Sequence, residues 1–79
     1  MKGMVIGVTM VKVVPGQEKT TYSALREIDG IKDVYHVFGE FDFVVIIEVE
    51  GLSMLNKLVD TIREIDNVTA TQTVVGAEL

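Results

Sequence analysis

The sequence predicts a two-layer α+β sandwich, β-α-β-β-α-β in order, with one four-stranded antiparallel sheet and both helices on one face. Three observations predict it. Two segments with helical spacing separate runs rich in valine, isoleucine and threonine. The two halves echo each other: strand, helix, an Asp-Gly or Asp-Asn break, then a strand opening Ile31-Lys32-Asp33-Val34 or Asn67-Val68-Thr69. Within 79 residues there is no linker, low-complexity tract or second composition, so residues 1–79 are read as one domain.

The first strand is Met4 to Val14, and Pro15-Gly16 ends it in a turn that also suits a helix entrance. From Gln17 to Ile28 the spacing is helical, with Tyr22, Leu25 and Ile28 three apart, Ala24 beside them, and Lys19, Arg26 and Glu27 facing outward. Asp29-Gly30 stops this helix. Ile31 to Phe38 alternates, with Val34, His36 and Phe38 on one face and Asp33, Tyr35 and Val37 on the other. With Phe41 to Glu50 it makes a strand-turn-strand unit around Gly39-Glu40. Gly51-Leu52-Ser53 opens the second helix, and Leu55, Leu58, Val59 and Ile62 follow the i, i+3, i+4, i+7 stripe of an amphipathic helix. Asn67 to Val75 is the fourth strand, where the β-branched Thr69, Thr71 and Thr73 favour the pleat. This double split βαβ order is the ferredoxin-like arrangement.

A chain of this size buries only about 60–65% of the surface its unfolded form exposes, so its core alone is marginal. It has no cysteine, which excludes disulfides, thiolate metal sites and cysteine nucleophiles and leaves packing or oligomerisation as the sources of extra stability. Mean hydropathy is +0.37, yet no apolar stretch approaches the roughly 18 residues of a membrane span. The net charge of −5 opposes the counterion release that drives nucleic-acid binding. No direct nucleic-acid or membrane partner is expected. The apolar run after Met1-Lys2-Gly3 contains Gly7, Thr9 and Lys12 and lacks a small-residue cleavage site, so it reads as a strand and the expected location is cytoplasmic.

Strand parity locates a second apolar surface, because residues two apart share a face. In the third strand Phe41, Phe43, Val45, Ile47 and Val49 form the core side, leaving Asp42, Val44, Ile46, Glu48 and Glu50 on the other. Val44 and Ile46 therefore lie on the face that should meet water. The first strand also offers apolar residues on both parities, Ile6, Val8 and Met10 against Val5, Val11 and Val13. Such a surface marks an interaction site, and burying its aliphatic side chains, at about 1.5–3 kcal/mol each, supports a dimer packed sheet on sheet.

The run Phe38-Gly39-Glu40-Phe41-Asp42-Phe43 is where the sequence points to a site. Gly39 permits positive φ at a reversal, and an aspartate at the edge of an apolar strand needs N–H donors, a cation or water. One reading is a hairpin whose aspartate bonds nearby amides. The other is a pocket for a small polar ligand, where amides and threonine hydroxyls receive a carboxylate and the aspartate receives an ammonium group. His36, the only histidine, has no cysteine or spaced carboxylates to make a metal site and reads as surface or edge-strand packing. Ser23 and Ser53 lie in helices, outside any nucleophile motif, and no glycine-rich phosphate loop is present. Neither a catalytic residue nor a cofactor or metal is indicated.

Val13-Val14-Pro15-Gly16, Val34-x-x-Val37-Phe38-Gly39-Glu40-Phe41-Asp42 and Asn67-Val68-x-x-Thr71-x-Thr73-Val74-Val75 together resemble the regulation-of-amino-acid-metabolism (RAM) module, the effector-binding part of Lrp/AsnC-type transcription regulators. The resemblance spans the whole chain. It implies a ferredoxin-like fold that dimerises through its sheets, rings of dimers such as octamers, and a free amino acid held between dimers. On that resemblance Gly39, Glu40, Phe41 and Asp42 contact the amino acid, with Asp42 the key polar residue, and Thr71, Thr73 and Val74 line the opposite part of the site. Family regulators carry an N-terminal helix-turn-helix, whereas this sequence starts at the module's first strand and resembles the stand-alone version. Regulation would then act through a full-length relative or by buffering amino acids. Gly76 stands where relatives tend to have a larger residue. Two other readings share the element order: an ACT-type regulatory domain, which pairs sheets side by side, and a small dimeric α/β-barrel enzyme. The enzyme would need a polar constellation, for which His36 with Asp42 is the pairing available.

Overall fold

In the computed structural model, which describes residues 4–77, the elements are β1 (Val5–Val13), α1 (Glu18–Arg26), β2 (Ile31–His36), β3 (Phe43–Val49), α2 (Leu52–Arg63) and β4 (Val68–Ala77). The strands form one antiparallel sheet in the order β2-β3-β1-β4. This is the ferredoxin-like order expected from the sequence.

One parity of the strands makes the core. Val11 and Val13 of β1, Val34 of β2 and Phe43, Val45, Ile47 and Val49 of β3 are buried in a single cluster with Leu25, Leu55, Leu58 and Ile62 of the helices. Both helices therefore cover the same face. Gly7 is where α2 comes closest to β1: a Cβ there would lie 2.5 Å from Cδ1 of the buried Leu55. The missing side chain is what seats Leu55 on the sheet.

Element ends differ from the sequence reading where local hydrogen bonds decide them. Helix α1 stops at Arg26 rather than Ile28, because Glu27 and Ile28 donate to carbonyls three residues back, Ala24 and Leu25, tightening the last turn. Its buried face includes Thr21, whose hydroxyl donates to the Gln17 carbonyl at 2.8 Å and so enters the core satisfied. Between β2 and β3 there is no tight hairpin around Gly39-Glu40. A longer connection, residues 37–42, is closed by the Val37 N–H donating to the Asp42 carbonyl at 2.8 Å. Phe38 thus falls beyond the strand and is 92% exposed instead of sharing the buried face of Val34.

The sheet's other face is open and apolar. Register sets Met10 beside Val44 and Val8 between Ile46 and Val74, with Tyr35 next to Val44. Ile6, Val8, Met10, Val44 and Ile46 are half-buried by one another, while Tyr35 and Val74 are 54% and 56% exposed. Among the described residues no helix is long and apolar enough to cross a membrane.

Candidate functional site

Because β1 and β2 each run antiparallel to β3, their C-terminal ends lie at the same end of the sheet. The 37–42 connection, the entrance to α1, the end of α2 and the start of β4 all gather there.

Asp42 fixes the connection to the sheet. Its N–H donates to the Val11 carbonyl at 2.8 Å, and its Oδ2 accepts the Val13 N–H, also at 2.8 Å. Strand β3 begins only at Phe43, so the carboxylate supplies an acceptor for β1 where the ladder runs out. The desolvation that an aspartate incurs beside an apolar strand is thereby offset by a charge-assisted bond. Beyond this anchor the chain arcs into solvent: Gly39 adopts φ +136° and Glu40 is exposed, with Phe41 half-buried behind them.

A row of rings runs from the connection into the helix layer. The Phe38 and Phe43 rings each lie 5.1 Å from the His36 ring, and Tyr22 lies 6.1 Å from Phe43. Tyr22, His36 and Phe43, with Glu18 and Lys19 of α1, line a hollow of about 360 Å³. A second hollow of about 380 Å³ lies between the end of α2 and the start of β4, lined by Arg63, Val68, Thr69, Ala70 and Thr71. The sequence places Lys19 outward and Tyr22 on the apolar face with Leu25 and Ile28; in the structure Tyr22 is 39% exposed at the rim of the first hollow and Thr21 takes the buried position. Helical spacing carries no information on which strand a face meets, so neither hollow was visible in it.

The three β4 residues picked out by the sequence divide by face. Thr71 and Thr73 pair with Val11 and Thr9 on the helix side, and the Thr73 and Thr9 hydroxyls share a hydrogen bond of 2.9 Å. Val74 pairs with Val8 on the open side. Within one protomer β1 stands between β4 and the connection, so Thr71, Thr73 and Val74 do not converge with Gly39, Glu40, Phe41 and Asp42. His36 and Asp42 are not joined by a hydrogen bond among the described residues: the carboxylate is directed at Val13 and the imidazole at the two phenylalanines. Ser23 and Ser53 are both exposed on their helices, and no group of three metal-binding side chains occurs among the described residues.

A family model described as the Lrp/AsnC ligand binding domain matches residues 5–77. The chain belongs to this Lrp/AsnC family. Among solved structures, the Lrp/AsnC domain described here is similar to hypothetical protein PHS023 from Pyrococcus horikoshii, at 25% identity and a TM-score of 0.83, covering 91% of this chain and 88% of that one. It is equally similar to FFRP-DM1, at 25% identity and a TM-score of 0.85, covering 91% and 97% of the two chains. Likeness in fold extends to the transcriptional regulator NMB0573 of Neisseria meningitidis, solved as a complex with L-Met, at 15% identity and a TM-score of 0.79; the match covers 91% of this Lrp/AsnC domain and 49% of that chain. A search of the curated proteins found no match.

Proposed function

We propose that this Lrp/AsnC domain binds a free amino acid and works as an oligomeric, non-catalytic regulatory module. The observation that carries this reading is the anchoring of the 37–42 connection: Asp42 holds its end against β1 while Gly39 and Glu40 stand exposed. Backbone N–H groups there are suited to an α-carboxylate. The Asp42 carboxylate, with Oδ2 engaged by Val13, keeps lone pairs for an α-ammonium group. The L-Met complex of the Neisseria fold neighbour supports the ligand class.

Gly39, Glu40, Phe41 and Asp42 of one copy form one wall of the site, and the edge strand β4 of another copy supplies the other, bordering it with Thr71 and Thr73 from its helix side and Val74 from its open side. Their separation across β1 within one protomer supports a site completed by assembly. The apolar open face, with Ile6, Val8, Met10, Val44 and Ile46 in register, is the dimer surface, and dimers associate further into a ring such as an octamer. Regulation passes through a full-length Lrp/AsnC-type partner that shares these interfaces; failure of the two to co-purify would count against that step.

The test is a thermal-shift screen of the twenty amino acids with oligomer mass measured in parallel. At a hundred times its dissociation constant a ligand stabilises the folded state by about 2.7 kcal/mol, a shift of roughly 10–20 °C for a domain of this size. An amino acid that raises the melting temperature of the wild-type chain and not of Asp42→Ala supports the reading. No response to any of them would overturn it.

A further inference from the structure

Phe38 is the most exposed large apolar side chain among the described residues, at 92%. Immediately beside it is the hollow lined by Tyr22, His36, Phe43, Glu18 and Lys19. The two features share one side chain, since the His36 ring borders the hollow and lies 5.1 Å from the Phe38 ring. Nothing in the amino-acid reading above uses either. A phenylalanine projecting into water and an open hollow walled by Tyr22, His36 and Phe43 both expose apolar surface, and each supplies what the other lacks.

We propose that Phe38 of one copy inserts into the hollow of a second copy, and that the second copy's Phe38 inserts in return. A projection adjacent to its own receptor makes a self-complementary patch, which is the requirement for a twofold, isologous contact. An aromatic anchor seated in a desolvated pocket is also the commonest form of interface hot spot. Tyr22 is itself 39% exposed and adds apolar surface at the rim of the hollow. Charge supports the same occupant: Lys19 lines the hollow, Glu40 lies two residues beyond the projecting ring, and neither is in an ion pair among the described residues. Glu18 beside Lys19 limits this to one favourable pair per insertion. The contact lies at the end of the sheet and leaves the open face free. Together with sheet packing, the exchange gives each chain two different twofold contacts, which join dimers into a larger assembly.

The chain contains no tryptophan, so Phe38→Trp introduces a single indole whose emission reports its surroundings. Its emission should shift to the blue as concentration rises, in step with the mass measured by sedimentation, and return to that of a solvated indole on dilution. Phe38→Asp should reduce the wild-type mass by half or more and weaken association at least tenfold, with an unchanged circular dichroism spectrum because the side chain leaves the core untouched. An unchanged mass for Phe38→Asp overturns the exchange. So does solvated emission from Phe38→Trp at every concentration, the result expected if the hollow instead takes a small apolar molecule or a different protein. Neither readout involves an amino acid, so this inference and the effector reading fail separately.

Discussion

Asp42 is a carboxylate whose main bonds are to backbone: it accepts the Val13 N–H, and its own peptide group links Val11 to Val37. Asp42→Ala leaves the N–H of the buried Val13 without its acceptor and should cost about 1–3 kcal/mol in urea denaturation. Asp42→Asn keeps a side-chain oxygen and should cost about 1 kcal/mol or less, because only the charge assistance is lost. The need for donors around this residue was legible in the sequence, since an aspartate among phenylalanines and valines has few alternatives. That Val13 supplies one was not, because the donor's identity depends on the register of β1 against β3. The Thr9–Thr73 hydroxyl pair makes a second residue-scale case. Thr9→Val should cost about 1 kcal/mol by stranding the Thr73 hydroxyl, and adding Thr73→Val should recover part of that loss in a double-mutant cycle.

Among the elements, α2 and β3 were the most readable. The Leu55, Leu58 and Ile62 stripe and the Phe43, Val45, Ile47 and Val49 parity are buried as expected, since burial on one face is what selects such periodicity. The passage from β2 to β3 was less readable. Alternation continues through Val37 and Phe38 in the sequence, but pairing ends at His36 and β3 starts only at Phe43. Side-chain pattern records faces, whereas the end of a strand is set by where backbone partners run out. The seating of α2 gives an element-scale prediction. Gly7→Ala drives a methyl group to 2.5 Å from Cδ1 of Leu55, which is too buried to swing aside, and should destabilise the fold by about 1–3 kcal/mol. Combined with Leu55→Ala, the two changes should cost less than the sum of the separate ones, because the smaller side chain vacates the space. Thermal denaturation of the four proteins gives the coupling.

The whole molecule presents two surfaces unsuited to a solitary chain, the open face of the sheet and the ring-bearing end. Ile46→Asp sets a charge in the centre of the open face, between Val8 and Asp33 in register, and should raise the dimer dissociation constant at least about tenfold while the domain stays folded. Each copy carries a net charge of −5, so like-charge repulsion opposes assembly. Raising salt from about 20 to about 300 mM should therefore strengthen association; weakening would show that ion pairs, not apolar burial, hold the copies together. Light scattering across that range is the measurement. The sheet order also has a kinetic consequence. Strand β1 sits between β3 and β4, and its Thr9 meets Thr73 across a sequence separation of 64 residues. Until β4 arrives, a partly made chain offers the whole unpaired side of β1 to any strand nearby. Such non-local closure is slow, and in an assembling protein the first β4 to arrive can belong to a neighbour, so exchange of that strand between copies is the misfolding route that this topology leaves open.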